Sequence, residues 1–196
     1  MYGVQRVLAA ALAVAGLVGV SGTAAFASAA STAHPGSLQR AVERQLRDYP
    51  GGTQVAANEV SYDHGHVIVA FPGPNGHVQA PRSSGAGPDA SYSWHGCPYG
   101  DVAAWYCFYQ NSKFGGRMLE FEDCSGDGTK QSFGTYGFSN ETSSWVNTSG
   151  IEPLSTPVGV DVWGASTILW TEEEDSSSSY VGAANNDKAQ WFDAYC

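Results

Sequence analysis

CFYQNSKFGGRMLEFE, Cys107 to Glu122, decides the fold. On both arms aromatic and aliphatic side chains recur at every second residue. Between them Asn111, Ser112 and Lys113 turn the chain into Phe114, Gly115 and Gly116. Period-two alternation on either side of an Asn- and Gly-bearing turn reads as a β-hairpin. Within it, Tyr109, Phe114 and Gly116 form the spaced pattern Tyr-x4-Phe-x-Gly.

Working downstream, the alternation of Arg117 to Asp123 gives way to Gly126-Asp127-Gly128, then to Gly134-Thr135-Tyr136-Gly137-Phe138. A fresh strand follows at Ser143-Ser144-Trp145-Val146-Asn147. A second half of similar length carries strand patterns at Val158 to Trp163 and Thr167 to Thr171. Glu172 to Ser179 follows as a polar run read as a solvated loop, then Tyr180 to Cys196. Strands this short, interrupted so regularly by Gly and Ser, predict a mainly β chain built as a Greek-key β-sandwich of antiparallel strands.

Composition agrees with one small domain plus processed or linking sequence. The chain has 196 residues, 24 of them Gly, and 14% are charged. Net charge is −10, and Cys97 to Cys196 holds four Lys or Arg against fourteen Asp or Glu, which is −10 in that part alone. An acidic surface of this kind repels phosphate backbones, so no nucleic-acid partner is expected. Cations or basic protein patches suit it better.

Upstream, Arg6 precedes an unbroken run of Val, Leu, Ala and Gly from Val7 to Val20, and Phe26-Ala27-Ser28-Ala29 fits small-residue cleavage patterns. The run is shorter than the ~20 apolar residues a spanning helix needs. Residues 1–29 are therefore expected to be a signal peptide whose Ala-rich composition is of bacterial type, with the mature chain secreted and no membrane contact after cleavage. Residues 30–71 read as a small helix and β-hairpin, an appendage or propeptide. Ser37 is a candidate N-cap, Leu38, Val42, Gln45 and Leu46 form one stripe, and two strands, Thr53 to Val60 and His66 to Phe71, flank a turn at Tyr62 to Gly65. Pro and Gly in 72–91 read as a flexible linker, leaving 92–196 as the main domain.

Tyr109-x4-Phe114-x-Gly116 followed by Asn140-x-x-Ser143-Ser144-Trp145 resembles one βγ-crystallin-type Greek-key motif. With Cys97-Pro98-x-Gly100, Cys107-Phe108-Tyr109, Phe114-Gly115-Gly116-Arg117 and Asp123-Cys124, the chain resembles the actinobacterial secreted proteins grouped as peptidase inhibitor family I36. The resemblance covers roughly residues 97 to 150 well and the second half weakly. There Trp163 stands at the first aromatic position, but Ile168 and Trp170 replace the second aromatic and the glycine. In the motif Gly116 is expected to take a conformation barred to a Cβ, Phe114 and Tyr109 to pack beneath the folded tip, Ser143 or Ser144 to bond the turn, and Trp145 to fill the core.

What the resemblance implies about function is metalloproteinase inhibition by a rigid loop presented to an extracellular protease, by a non-enzymatic monomer. Rigid presentation limits the entropy lost on binding. Cys97, Cys107, Cys124 and Cys196 permit three disulfide pairings, among which sequence does not choose. Cys97 with Cys107 and Cys124 with Cys196 is the favoured set, stapling the loop from Pro98 to Trp105 and pinning the C-terminus. The inhibitory reactive site is not assigned. The resemblance also raises calcium, whose ligands in such proteins come from paired polar loops. Ser139 to Ser144 and Asn186 to Trp191 are the corresponding stretches, each incomplete, and Asn140, Ser143, Asn186 and Asp187 are the candidate ligands. No other cofactor is expected. The alternative function is a calcium-binding or non-catalytic envelope or antimicrobial binding module. Against an enzyme, no His-Glu-x-x-His, Gly-x-Ser-x-Gly or phosphate loop occurs, the His64-x-His66 pair reads as part of a turn, and His95 reads as incidental.

Overall fold

A computed structural model describes residues 35–79, 93–99, 105–122, 129–150 and 158–195. The expected signal peptide, linker residues 80–91, Cys124 and Cys196 lie outside the described residues.

In chain order the elements are helix α1 (Pro35–Asp48), then strands β1 (Thr53–Ala56), β2 (Glu59–Tyr62) and β3 (Val67–Ala70). Two short strands, β4 (Ser93–Trp94) and β5 (Cys97–Pro98), precede the hairpin of β6 (Trp105–Asn111) and β7 (Gly115–Glu122). After these come β8 (Thr129–Ser132), a 3-10 turn at Phe133–Tyr136, β9 (Ser144–Asn147), β10 (Gly159–Trp163), β11 (Ile168–Glu172), β12 (Ser176–Ser178) and β13 (Trp191–Tyr195). Among the described residues every strand pairing is antiparallel, and the protein is mainly β as its alternation predicts.

Seven strands form one sheet in the order β1-β2-β3-β7-β6-β9-β12, and four form another in the order β11-β10-β13-β8. Each half of the region from Trp105 onward supplies four strands, and the third strand of each half lies in the other half's sheet. β8 pairs with β13, and β12 pairs with β9. This exchange ties the halves together by backbone hydrogen bonds as well as by their core.

The core lies between the sheets. Tyr106, Phe108, Leu119, Phe121 and Trp145 from the larger sheet meet Val160, Val162, Phe192 and Ala194 from the smaller, with Phe133 wedged among the rings of Phe108, Phe121 and Phe192. Inward-facing residues at alternate positions of each strand produce this layer. The larger sheet extends beyond the smaller, and there α1 supplies the cover. Val42 is fully buried with Val60, Tyr62, Val67, Val69 and Phe71, and Leu38, Ala41 and Leu46 pack at the margin.

The N-terminal segment is thus no separate appendage. β3 pairs with β7 over Val67↔Phe121, Ile68↔Glu120, Val69↔Leu119 and Ala70↔Met118, and α1 shares the common core. A hairpin and one helix bury too little to stand alone, so they complete the larger sheet instead. The single strand expected over Thr53 to Val60 is two strands, because Ala57 and Asn58 reverse the chain between β1 and β2. Residues 72–79 of the expected linker are ordered against the hairpin tip, with Val78 buried and Gly116 N donating to Gly76 O at 2.9 Å. The polar run expected as a loop contributes β12, whose serines pair through the backbone with Asn147, Val146 and Trp145, and its first residue, Glu172, is buried.

Side chains lock α1 to the sheets. Gln45 donates to Tyr62 Oη (3.1 Å) and Tyr136 O (2.9 Å), and its Oε1 accepts from Arg117 at 3.2 Å. Arg117 also donates to Gly137 O at 3.0 Å, pairs with Glu141 and lies over the Phe138 ring. Gly137, in the left-handed region, lies under Tyr49, whose ring would be 2.2 Å from an added Cβ. Among the described residues no helix is long and apolar enough to cross a membrane.

Candidate functional site: the stapled hairpin tip and the cleft beside it

The tip of the β6–β7 hairpin is built by backbone conformation. The register shifts between Tyr109 and Asn111, and Lys113, Phe114 and Gly116 take φ values of 57°, 59° and 78°. A Cβ on Gly116 would lie 2.8 Å from Asn111 Nδ2 and 2.9 Å from Gln110 Cβ, so glycine satisfies both the dihedral and the space. The tip folds back, bringing the Phe114 ring edge-on to Tyr109 at 5.5 Å. Ser144 latches it: its Oγ donates to Asn111 O (2.7 Å) and accepts from Phe114 N (3.1 Å). Trp145, the next residue, faces the inter-sheet core.

Against this tip lies a disulfide. Cys97 of β5 is bonded to Cys107 of β6 with Cα atoms 5.7 Å apart, so both ends of the intervening segment are fixed to a buried strand. The turn between β4 and β5 places His95 at φ 55° with its ring stacked on Phe114 at 3.7 Å and 7°. His95 O accepts from Tyr109 Oη at 3.2 Å, and His77 Nδ1 donates to Phe114 O at 3.1 Å. Two imidazoles therefore brace Phe114, one at its ring and one at its backbone carbonyl. Burial, and then the charge of His77, lower the His95 pKa below its ordinary value. Burial and then the Glu120 carboxyl hold Tyr109 well above the usual phenol range. Cys124 with Cys196 falls outside the described residues.

Beside the tip opens a cleft of about 650 Å³ lined by Gln110, Asn111, Asn140, Ser143, Tyr180 and Asp187 among others. Its walls are two loops in equivalent positions of the two halves. Asn140 and Asp187 both adopt left-handed backbone, with φ 60° and 56°. Asn140 N donates to Ala189 O (2.7 Å), and Asp187 N donates to Thr142 O (3.2 Å), a reciprocal pair. Ser143 N reaches Tyr109 O as Gln190 N reaches Trp163 O.

The symmetry stops at the side chains. On one side Ser143 Oγ donates to Gln110 O at 2.8 Å and lies 3.5 Å from Asp187 Oδ1, while Asn186 donates to Asp187 Oδ2 at 2.6 Å. On the other, Gln190 Nε2 donates to Asn140 Oδ1 at 3.3 Å, so an amide N–H stands where a hydroxyl would offer oxygen. All four candidate ligands are thus brought to one cleft but split between an oxygen-rich and a self-satisfied position. Calcium takes six to eight oxygens, and one carboxylate, one hydroxyl and one amide fall short of that from the side chains. Glu141 lines the cleft, but Arg117 and Gln110 already hold its carboxylate.

Comparison with protein-family models, with curated proteins and with solved structures finds no match.

Sequence reading locates the motif residues but misses three participants. His95, read as incidental, is the stacking partner of Phe114, and its position directly after Trp94 and before the first cysteine was the available signal. Gln110 and Glu141 gave none, since their roles arise only when the hairpin and the Asn140 loop meet. His64 lies in the turn as expected, with φ 59°, while His66 is 3.8 Å from Glu122.

Proposed function

We propose that this chain is a secreted, non-enzymatic protein of the βγ-crystallin Greek-key type, similar to the I36 inhibitors, which blocks an extracellular metalloproteinase through the segment closed by Cys97 and Cys107. The observation that carries this reading is the disulfide itself, which anchors that segment on β6, the strand hydrogen-bonded on both sides within the larger sheet. A loop held in this way loses little conformational freedom on entering a protease cleft, and the residual freedom is what weakens flexible inhibitors. The stack of His95 on Phe114 and the Tyr109–His95 hydrogen bond stiffen its base. The strand exchange between the two sheets supports the Greek-key assignment, and the folded tip with its serine latch supports the crystallin-type motif.

Titration of a thermolysin-type protease with the oxidised mature chain tests the proposal. Equimolar protein is expected to abolish most activity, and Cys97→Ser with Cys107→Ser to weaken inhibition at least tenfold. A protease left fully active by intact, oxidised protein overturns it.

A second reading, calcium binding at the cleft, is favoured by one observation, the approach of Ser143 to Asp187 from separate halves. It requires one site, not two, because Gln190 occupies the equivalent position. Isothermal titration with calcium reading no binding at millimolar concentration ends it.

A further inference from the structure

The outer faces of the two sheets occupy equivalent places, yet among the described residues only one is covered by the chain. In the first half Tyr109 projects outward from β6 and is fully buried under Phe114, Val78 and the β5 strand carrying Cys97. In the second half Trp163 holds the place of Tyr109, as their matched carbonyl contacts with Gln190 and Ser143 show. Trp191 holds the place of Ser144, opposite Trp163 as Ser144 is opposite Tyr109. A tryptophan cannot latch a hairpin turn. It stacks instead on Trp163 at 4.7 Å and 6°, and among the described residues no segment lies over the pair as β5 lies over Tyr109.

Around this ladder the face is apolar and acidic together. Ile168, paired across from Trp163, is 47% exposed, and Tyr195 is 52% exposed. The solvent face of an antiparallel sheet is ordinarily polar, so these apolar residues, set on either side of the Asp161–Asp193 row, stand out as a contact surface. One row along, Asp161 and Asp193 stand directly opposite each other on β10 and β13. Like charges in that relation destabilise a sheet. Asp161 is partly served by Thr171 Oγ1 (2.6 Å) and Tyr195 Oη (2.8 Å). Asp193 Oδ1 and Trp163 Nε1 are buried and have no hydrogen-bond partner. Lys130, across from Asp193 on β8, places its ammonium 3.4 Å above the Trp191 ring and forms no ion pair with Asp193. The indole face thus already takes a cation from within the chain, while the paired carboxylates lack one.

We infer that the outer face of the four-stranded sheet is a docking surface for a basic, extended polypeptide, whose arginine or lysine side chains neutralise Asp161 and Asp193 while its apolar residues lie on Ile168, Trp163 and Tyr195. A polypeptide is the occupant because a polypeptide covers the equivalent face of the first half. It is basic because the uncompensated groups are carboxylates and the chain carries a net charge of −10. This surface is separate from the stapled tip, and the inference stands independently of protease inhibition.

The probe is a synthetic octapeptide of alternating arginine and leucine, with a glutamate–leucine peptide as control, added to the oxidised mature chain. Binding is read from the indole N–H resonances of Trp163 and Trp191. The basic peptide is expected to shift both, the acidic one neither, and Asp161→Asn with Asp193→Asn to weaken affinity at least tenfold. Glu173→Gln with Glu174→Gln, which removes equal charge from the exposed turn after β11, is expected to change affinity less than twofold. Equal weakening by both pairs reduces the effect to diffuse electrostatics and overturns the inference, as do unshifted indoles. The melting temperature of the Asp161/Asp193 variant without peptide is expected not to fall, since opposed like charges have been removed. A fall makes the pair structural and likewise overturns it.

Discussion

Glu120 is the residue whose environment most conflicts with its chemistry. It sits on the outward face of β7, between Ile68 of β3 and Cys107 of β6, fully buried, and neither carboxyl oxygen has a hydrogen-bond partner. Burial, and then the charge of Glu59, hold its pKa well above the ordinary value of 4.5. A carboxyl raised in the folded state binds its proton more tightly there than in the unfolded chain. Its contribution is therefore fully favourable below the unfolded pKa and is lost as pH rises through the folded one. The same sign holds for Glu172, where burial outweighs the hydrogen bond from Trp170. Stability should thus decline as pH rises above 4.5. Replacing Glu120 by Met keeps the volume and removes the charge. It is expected to raise stability by about 1–3 kcal/mol near neutral pH and to flatten that decline. Denaturant midpoints measured across the acidic-to-neutral range check this, and parallel profiles for wild type and variant would contradict it.

At the level of elements, α1 is held by one polar side chain as well as by its apolar stripe. Gln45 is 3% exposed and uses both ends of its amide, joining Tyr62, Tyr136 and Arg117. Gln45→Ala removes these bonds from a buried setting, where an unsatisfied group costs about 1–3 kcal/mol, while Tyr62 keeps Tyr49 O and Arg117 keeps Gly137 O. The expected loss is about 2–4 kcal/mol by urea denaturation, allowing for partial rescue by water. A loss below about 0.5 kcal/mol, the range of ordinary surface substitutions, would return α1 to the status of a loosely attached helix. The hairpin was legible because Cys107 to Glu122 writes its alternation on both arms and its glycine at the strained position, and the latch was legible as Ser143 or Ser144. β12 was not, since Ser176 to Ser178 pair through backbone alone and carry no apolar face. Gln45 fell on the helical stripe but gave no sign of its partners, which lie 17, 72 and 91 residues away. Half of the candidate site was legible in the same way, for Asn140, Ser143, Asn186 and Asp187 do converge, while Gln190, Gln110 and His95 acquire roles only through contacts between distant segments.

For the molecule as a whole, the decisive question is whether the domain begins near residue 92 or near residue 35. The composition break at the Pro- and Gly-rich stretch argues for the former, and the pairing of β3 with β7 for the latter. Without residues 35–71 the backbone of β7 would become a sheet edge beside exposed Leu119 and Phe121. Unpaired, apolar edges of that kind invite association with other chains. The inner face would also lose Val42, Val60, Val67, Val69 and Phe71, and burial of a single such side chain contributes roughly 1.5–3 kcal/mol. Since domains of this size are stable by only about 5–15 kcal/mol in total, the remaining two sheets cannot absorb that loss. A chain beginning at residue 92 is therefore expected to be insoluble or to unfold without a cooperative transition, whereas the chain beginning at residue 30 melts in one step. Adding residues 30–79 as a separate peptide should restore solubility by supplying β3 to β7 and α1 to the core. A soluble chain from residue 92 with an unchanged melting temperature would make the N-terminal segment dispensable, and would mean that the strand exchange between the two sheets is sufficient to hold the fold.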